Sequence, residues 1–577
     1  MGSYTDATGR TATAEHFQPS QPCAGCAVPA GVRFLGTPMH IPCWQRSTPA
    51  SRGTTATAPA PAAPPALRPS APTAPAAPTL PPAQPEHTPK SASNSAAVFA
   101  GPAAVLHTDG IWMPDGTHHD LPQPLSHVGH IAALVDELNL GTQVTPYRSE
   151  PGQIWVTDAM LRQLGIDTTD LDKGDSTRGT QLRERTTESV LVTAAREEGW
   201  KLGGKGGDRL GTWTRVWRGE KRGVFVALIS GMSPDPSETP VLSDDPAPAT
   251  LARRLGLFAA AVGAPWAMSG STTGIDLMIS LRAKDRDKLF TPHEPVPPAA
   301  MNTLESDFRW SRKPTEAEAA HRYVHGYDRG GSYAAGVAGL ELGVGTPTHH
   351  PDGVAFDPKL PGYWKVEIPD AADWRYPHPL NPRGSTPSMW VTTPTLAMGY
   401  ELGYEQPVLQ AYTWSEHLRI LDPWYARVRD ARTQLDIDDV DAQAARNMLK
   451  VVYAHTFGMM GSELHMRNRM GYAPDRRHHI VAKARANVLR RILQIGRDSD
   501  RWPVAVTADT VLYTSDDPDP ISAWPGKSNT LGRGFGQYKA EASGLLVEQL
   551  AHLGTGNGYR GKDLLDTEWD PAAAGGA

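Results

Sequence analysis

Two aspartates and a lysine, set far apart in the sequence, are the residues best suited to chemistry on phosphate groups. Asp328 opens the block Asp-Arg-Gly-Gly-Ser-Tyr, and Asp509 follows a short apolar run. Carboxylates on rigid strands can hold two Mg²⁺ ions, or Mn²⁺ in their place, which activate a hydroxyl and neutralise a leaving phosphate. Lys450 can bind the phosphates of a substrate. We therefore predict a two-metal site with Asp328 and Asp509 as ligands and Lys450 beside them.

Regular elements are predicted to position these residues. Lys450 and Gly458 are eight residues apart and fit one helix. On that helix Phe457 adds a flat apolar ring, and Gly458 lets a substrate approach the backbone closely. The apolar run 504–513 predicts two short strands that meet at Asp509, so this carboxylate is expected at a hairpin tip.

In order and spread, these blocks resemble the three polymerase motifs of family B DNA polymerases. The resemblance implies template-directed nucleotide addition. It also implies that Tyr333 packs under the incoming sugar, and that Phe457 and Gly458 lie against the new base pair. Downstream, Lys539 lies in a Leu-Gly…Lys-Ala-Glu stretch similar to the element with which that family grips the primer strand, which implies a DNA contact for Lys539.

The third block departs from the family pattern. Val511 stands where the family has a second aspartate that binds metal directly, and Ala454-His455 replaces an Asn-Ser pair. Three interpretations stay open. Asp509 takes over the missing role two residues earlier, or the site binds metal weakly, or it no longer does chemistry.

A second resemblance covers about residues 100–545. This resemblance rests on five stretches of sequence, which begin at Gly101, Gly270, Phe356, Thr393 and Leu421. They resemble the telomere-associated proteins of actinobacterial linear chromosomes and plasmids. That family implies a protein that binds the single-stranded 3′ overhang of a replicon end, recruits a terminal protein and takes part in end patching by DNA synthesis. Members of the family usually begin with a helix-turn-helix domain, which this sequence lacks.

The first 45 residues carry a possible zinc site. Cys23, Cys26, His40 and Cys43 include every cysteine of the chain, at a spacing that can close a tetrahedral Zn²⁺ site. Zinc would supply folding energy that so short a segment cannot gain from a core. The alternative is three incidental cysteines in a disordered tail.

Residues 49–89 have the composition of a linker. They contain 13 prolines, and Ala, Thr and Ser make up most of the remainder. Such a segment favours extended polyproline conformations over a packed fold. The sequence has no basic start followed by an apolar core and no run of apolar residues long enough to cross a membrane. We predict a cytoplasmic, nucleoid-associated protein.

Composition supports a globular body of two or three domains in the α/β (α+β) class. The chain has 577 residues, 39% of them hydrophobic, and a net charge of -6, so any contact with DNA must be local. We predict a polymerase-like palm and fingers preceded by a degenerate exonuclease-like domain. The predicted boundaries are a zinc segment at 1–45, a linker at 46–95, the exonuclease-like domain at 96–300, the palm and fingers at 316–545 and a tail at 546–577.

The predicted exonuclease-like domain has no catalytic acids. Residues 213–217 and 224–229 are predicted to form a hairpin, followed by a helix over 248–262. No Asp-x-Glu pair occurs between Thr212 and Arg282, so we expect no exonuclease activity. Asp276 lies in a Ser/Thr/Gly-rich stretch that predicts a loop, where such an acid more often forms a turn or a cap than binds a metal.

A basic segment between the second and third blocks is the best candidate for DNA contact. Residues 461–497 contain nine Lys or Arg and two acids, and a helix is predicted over 481–494. A solvated basic face is the alternative. The candidates for DNA binding are Arg476, Arg477, Lys483, Arg485, Arg490 and, farther on, Lys539.

A further helix is predicted to begin at Asp422, because Pro423 follows it at the first helical position. Arg427, Arg429 and Arg432 on that helix are candidates for contact with a triphosphate, and solvated side chains are the alternative.

Three functions are consistent with the sequence. The first is an active end-filling DNA polymerase. The second is an inactive, polymerase-like protein that binds replicon ends and recruits a terminal protein. The third is a zinc-containing regulator that binds duplex DNA.

Overall fold

The computed structural model describes short strands between Ser3 and Pro38, and then residues 99–575 except 122–123, 172–174, 204–207, 220–222, 234, 302–303, 372, 385 and 555–564. The chain forms two compact units, Met1–Ala92 and Ser93–Ala577.

The first unit contains a two-stranded and a three-stranded antiparallel sheet. Its strands are β1 (Ser3–Thr5), β2 (Thr11–Thr13), β3 (Glu15–Pro22), β4 (Pro29–Phe34) and β5 (Thr37–Pro38). The proposed ligands Cys23, Cys26, His40 and Cys43 lie outside the described residues, as does the predicted linker. The zinc site therefore stays a prediction.

The second unit is a mixed α/β structure. Its strands are β6 (Ala103–His107), β7 (Gly110–Trp112), β8 (His118–His119), β9 (Gly141–Thr145), β10 (Arg148–Pro151), β11 (Gln153–Val156), β12 (Trp200–Leu202), β13 (Trp213–Arg218), β14 (Val224–Leu228), β15 (Arg309–Ser311), β16 (Tyr323–Arg329), β17 (Leu342–Gly343), β18 (Thr348–His350), β19 (Gly362–Glu367), β20 (Ser388–Thr392), β21 (Val408–Thr413), β22 (His417–Leu418), β23 (Ala505–Thr507), β24 (Thr510–Ser515) and β25 (Tyr538–Leu545).

Helices surround these strands. They are α1 (Val128–Glu137), α2 (Asp158–Gln163), α3 (Asp175–Thr187), α4 (Val190–Glu197), α5 (Pro248–Val262), α6 (Gly270–Leu281), α7 (Arg286–Phe290), α8 (Glu316–Ala319), α9 (Ser332–Gly336), α10 (Thr393–Glu401), α11 (Asp422–Gln434), α12 (Val440–Met460), α13 (Glu463–Met466), α14 (Pro474–Ser499), α15 (Leu546–Gln549) and α16 (Pro571–Gly575). Among the described residues, no helix combines the length and apolar character needed to cross a membrane.

The N-terminal part of this unit is built on a seven-stranded mixed sheet, in the order β12-β13-β14-β11-β6-β7-β8. The central strand β11 runs parallel to both of its neighbours and is buried along its whole length. The predicted hairpin is confirmed as β13 and β14, and the predicted helix as α5. This arrangement buries Trp155 completely.

The candidate site stands on a five-stranded antiparallel sheet, in the order β15-β23-β24-β16-β25. β16 is central and pairs with β24 on one side and β25 on the other. Asp328 lies near the end of β16, opposite Thr510 and Lys539. The predicted strands around Asp509 are confirmed as β23 and β24.

One apolar core includes residues from both sides of the predicted boundary near residue 300, since buried side chains of α5 and α6 belong to the same cluster as those of α11 and α12. Trp424 donates from its indole nitrogen to the carbonyl oxygen of Gly274, at 3.1 Å. The expectation that Asp276 lies in a loop is wrong, because residues 270–281 form α6 with Ser269 as its N-cap.

Candidate active site

Strand pairing brings two carboxylates together. Asp328 pairs across the sheet with Thr510, the residue that follows Asp509 in the chain. Asp509 occupies the tight turn between β23 and β24, where Ala508 adopts a φ of 54°. The hairpin tip therefore presents Asp509 next to the end of β16, as the sequence predicted.

Like charges crowd around Asp509. Burial and, to a lesser extent, the neighbouring carboxylate of Asp328 raise the pKa of this carboxyl to about 7, with smaller contributions from Asp307 and Glu541. Glu541 is also within reach of the hairpin, since Thr510 donates a long hydrogen bond to it, at 3.5 Å. The carboxylates of Asp307, Asp328 and Glu541 therefore all disfavour a negative charge on Asp509, and a bound cation would reduce this repulsion.

Asp307 fixes the aromatic ring of the first block. The hydroxyl of Tyr333 donates to Asp307 and lies 2.8 Å from both carboxylate oxygens. Burial and the adjacent carboxylate raise the pKa of Tyr333, so the phenol stays protonated as a donor. The ring is half-buried and packs against the apolar core.

Val511 cannot present a polar group to this cluster. It pairs with Tyr327, is 1% exposed, and packs in the apolar layer beneath the sheet. Because side chains alternate between the two faces of a strand, Val511 and Thr510 point to opposite sides. Of the open interpretations, this geometry favours the one in which Asp509 serves as the second carboxylate.

A cavity of about 310 Å³ borders Asp328 and is strongly basic. Five cationic side chains line it against the single carboxylate of Asp328. They are Arg432, Arg446, Lys450, Arg533 and Lys539. The ammonium group of Lys539 lies 3.5 Å from the carboxylate of Asp328. An excess of positive charge around a small concave space suits a polyanion such as a triphosphate.

Two of these arginines are held in place by the protein. Arg446 and Arg533 both approach the carboxylate of Asp436, at 3.5 and 3.7 Å. Arg432 lies over the ring of Phe535 at 4.8 Å, and its buried Nη1 atom has no hydrogen-bond partner among the described residues. An orphaned guanidinium nitrogen beside a cavity is satisfied when an anion enters.

Lys450 was predicted at this site from the sequence, whereas Arg446 and Arg533 were not. Arg446 precedes Lys450 by four residues on α12, so both project from one face of the helix. This spacing could have revealed it. Arg533 and Asp436 carry no local signal, because loops bring them to the cavity.

Three other predicted substrate contacts do not lie at the cavity. Phe457 is 2% exposed and packs edge-on against Trp424 in the core, at 5.1 Å. Arg427 donates to the carbonyl oxygen of Val262 at the end of α5, and Arg429 pairs with Asp430 on the surface. Neither arginine lines the cavity.

The basic segment is largely internal. The predicted helix is confirmed within α14, but Arg476 is 4% exposed, and Arg485 is buried in an ion pair with Glu305 at 2.5 Å. Both arginines are held inside the protein, so the structure gives no support for DNA binding by them. Arg490 is paired with Glu401, and burial lowers the pKa of the half-buried Lys483. Apolar packing, rather than DNA, explains most of this segment.

Arg477 is half-buried and lies beside open space, as do the exposed Arg467 and Arg469. It lines a groove of about 850 Å³ between the end of α12, α13 and the start of α14. Gly458, predicted to lie against a base pair, opens onto the same groove and has no atom within 4 Å of the position of a Cβ atom. Arg467 and Arg469 add further positive charge to the groove, which suits a nucleic-acid strand.

The carboxylates suit a hard divalent cation. Asp328, Asp509 and Glu541 offer only oxygen ligands, and the carboxylate of Asp328 already has the ammonium group of Lys539 at 3.5 Å. These residues would hold Mg²⁺ or Mn²⁺.

His127, His130 and Glu198 also lie close enough to share a metal, with their ligand atoms within 4.8 Å of one another. They fit one poorly. Nδ1 of His127 accepts the backbone N–H of Gly129, so its Nε2 carries the proton and lies 3.0 Å from Glu198. A hydrogen-bonded pair at the start of α1 explains this cluster without a metal.

The raised pKa of Asp509 predicts how stability depends on pH when no metal is present. The folded protein holds this proton up to pH 7, whereas the unfolded chain releases it near the usual value of 3.8. The folding free energy contributed by this group is therefore full below pH 3.8 and is lost as the pH rises through 7. Between pH 5.5 and 8 the parent should lose about 2 kcal/mol of its free energy of unfolding through this group, and Asp509→Asn should abolish that loss.

Urea unfolding of both proteins in EDTA, at pH 5.5 and pH 8, measures this difference. The variant should gain stability relative to the parent as the pH rises. An equal pH dependence in both proteins would show that Asp509 is not held in a crowded, buried state.

Comparisons with known proteins add a distant likeness of fold. A family model described as Domain of unknown function (DUF8841) matches residues 104–269. No curated protein matches the sequence. Among solved structures, Phi29 DNA polymerase complexed with primer-template DNA, in a post-translocation binary complex, is 11% identical, with a TM-score of 0.39 over 72% of this chain and 78% of that chain.

The ternary complex of Phi29 DNA polymerase with primer-template DNA and incoming nucleotide substrates gives 12% identity and a TM-score of 0.40 over 76% of this chain and 84% of that chain.

Proposed function

We propose that this protein binds DNA and adds deoxynucleotides to a primer end in a template-directed reaction. The observation that carries the proposal is the basic cavity beside Asp328. Five cations converge there on a space bordered by the carboxylate that, with Asp509, forms the acidic cluster. A nucleoside triphosphate in that cavity would have its phosphates among the cations and its reacting phosphorus near the carboxylates.

The residues divide the work by chemistry. Arg446, Lys450 and Arg432 would bind the triphosphate, and Tyr333, fixed by Asp307, would pack against the sugar. When bound between the carboxylates, Mg²⁺ would supply positive charge for the attacking hydroxyl and the leaving pyrophosphate.

Binding of the correct nucleotide tests this proposal without requiring turnover. A primer with a dideoxy end, annealed to a template, is mixed with the protein and Mn²⁺, and each of the four nucleotides is added in turn. Only the nucleotide complementary to the template should strengthen the complex. Equal effects of all four nucleotides, or no effect of any, would oppose template-directed synthesis.

We further propose that the DNA is the 3′ overhang of a linear replicon end, that a terminal protein is recruited there, and that end patching is the biological reaction. The resemblance of the five sequence stretches to telomere-associated proteins supports this proposal. The basic groove beside Gly458 and Arg477 is of a kind that a single strand can occupy.

The groove makes a specific prediction. Replacing both Arg469 and Arg477 by alanine should weaken binding to an overhang about tenfold, because two phosphate contacts are lost. It should also make the slope of log affinity against log salt shallower by about 1.4. Electrophoretic mobility shifts at several salt concentrations measure both effects.

Arg490→Ala is the matched control, since Arg490 lies on the same helix but is already paired with Glu401. It should leave the affinity and the salt slope unchanged. Loss of affinity in the control alone would place the DNA on the other face of α14.

Val511 favours a second candidate function. If the site has lost catalysis with the second aspartate, the protein would bind the overhang and recruit its partner without synthesis. Overhang binding that is intact in the wild type, with no incorporation under any metal, would support this alternative.

A further inference from the structure

A second cavity, of about 330 Å³, lies between the mixed sheet and helix α6 and shares no lining residue with the basic cavity. It is open enough to admit a ligand, and its volume lies within the usual range for small-molecule sites. Its walls come from β9, β10, β11, β13, β14, α6 and the segment 264–268. Most of these residues fall within the matched DUF8841 region.

Aromatic rings form much of the wall. The rings of Trp213 and Phe225 are 5.6 Å apart and tilted by 31°, while Trp266 is almost completely buried. Flat apolar walls of this kind favour a planar ligand, because stacking gains most from a flat partner.

Asp276 gives the cavity its one unpaired carboxylate. It lies in the middle of α6, so it is neither a cap nor a turn former, and its side chain is accessible from the cavity. No hydrogen bond or ion pair to it occurs among the described residues. Asp276 is an exposed residue, so water solvates its carboxylate until a ligand in the cavity replaces that water.

Nearby positive charge offsets the negative charge of Asp276 only in part. Loss of hydration in the cavity and, to a smaller extent, the carboxylate of Glu150 raise its pKa to about 6, and Arg148 opposes them. Arg148 is itself paired with Glu150 at 2.8 Å. The carboxyl is therefore mostly ionised at pH 7.5 and remains available as an acceptor. Groups perturbed in this way, facing a pocket, are typical of functional sites.

Two other polar groups of the cavity are not available to a ligand. The side chain of Gln153 donates to the carbonyl oxygen of Trp266 at 2.7 Å and accepts from Trp155 at 3.0 Å, so its amide is already satisfied. The indole nitrogen of Trp266 is buried, so a ligand in the cavity does not reach it. A ligand can use the acceptor pair of Asp276, which is exposed.

We propose that this cavity binds a guanine base, with the carboxylate of Asp276 accepting its two adjacent N–H groups and the aromatic walls stacking on its faces. Guanine suits the site because a carboxylate accepts two parallel N–H bonds, and guanine offers two such donors on one edge. Adenine and cytosine place an acceptor beside their amino group, and thymine offers a single ring donor. The base would come from a free nucleotide or from an unpaired residue of single-stranded DNA.

Calorimetric titration of the full-length protein at pH 7.5, in EDTA, tests the proposal. Guanosine should bind saturably, and adenosine, cytidine and thymidine should bind at least about tenfold more weakly, since each loses a charge-assisted hydrogen bond. Asp276→Asn should weaken guanosine binding by at least the same factor. Asp285→Asn, an exposed acid shortly after α6, is the matched control and should change nothing.

A substitution in the cavity wall and a comparison with an oligonucleotide complete the test. Phe225→Leu should weaken all four nucleosides together, because it removes stacking rather than recognition of the base edge. An oligonucleotide with a single unpaired guanine, compared with guanosine monophosphate, identifies the source, since the tighter ligand that depends on Asp276 is the natural one.

No guanosine binding, or equal binding by the parent and Asp276→Asn, would overturn the proposal. Asp328→Asn should leave guanosine binding unchanged, so failure of the proposed polymerase function and failure of this second site are told apart.

Discussion

Asp328→Asn is expected to reduce nucleotide incorporation by at least about 10³-fold, since a two-metal site loses one of its principal ligands. Asp328 lies at the end of the central strand, beside Asp509 and within 3.5 Å of Lys539. The substitution keeps the shape of the side chain but removes the charge that would hold the metal. Single-nucleotide extension of a recessed primer, measured by rapid quench, gives the rates.

The fold and DNA binding should survive this change. Asp328 is half-buried at a strand end, and the groove beside Gly458 does not include it. Asp430→Asn, an exposed acid on α11, is the matched control and should extend primers at the parent rate. Incorporation at the parent rate by Asp328→Asn would remove this carboxylate from the reaction and with it the proposed site.

The second large effect is expected at the basic cavity. Replacing Arg446 by Gln and Lys450 by Met should together raise the KM for the incoming nucleotide by about 100-fold or more, because each loses a charge-assisted contact with the phosphates. The affinity for primer-template should change little. Steady-state extension with varied nucleotide concentration separates the two quantities.

Arg429→Gln provides the comparison for the cavity, since Arg429 projects from α11 outside it and pairs with Asp430. Its KM should equal that of the parent. A rise in KM for Arg429→Gln, without a rise for the cavity variant, would move the triphosphate to a different face of the fingers helices.

Local sequence patterns predicted the elements of the site well. The turn residue Asp509 lies between two short apolar strands, and Lys450 falls on a long helix, because period and apolar content fix these elements locally. The placement of Asp328 beside Asp509 depends on strand pairing, which the sequence indicated only through the resemblance. Pairing across the sheet then brought Lys539 to the same place.

The sequence indicated least where burial decides the position of a side chain. Arg476 and Arg485 looked like a solvated or DNA-binding face, but α14 is surrounded on most sides, and Arg485 finds its partner Glu305 about 180 residues away in the chain. Phe457 looked like a substrate platform, yet α12 turns it into the core. Charge and ring type are visible in a sequence, but the direction in which a buried helix points them is not.

For Asp276, too, the local sequence did not indicate the surroundings of the side chain. A Ser/Thr/Gly-rich stretch predicted a loop, and instead Ser269 caps a helix that carries Asp276 to a cavity. Two aromatic residues of the cavity wall, Trp213 and Phe225, come from a separate hairpin.

Extension of a recessed 3′ end by the purified full-length protein, with Mg²⁺ or Mn²⁺, tests the central claim most directly. The proposed site predicts addition of the complementary nucleotide by the wild type, and its loss in both Asp328→Asn and Asp509→Asn. Tight binding of the same DNA without any incorporation by the wild type would contradict it, and would make this a polymerase-like fold that serves recognition alone.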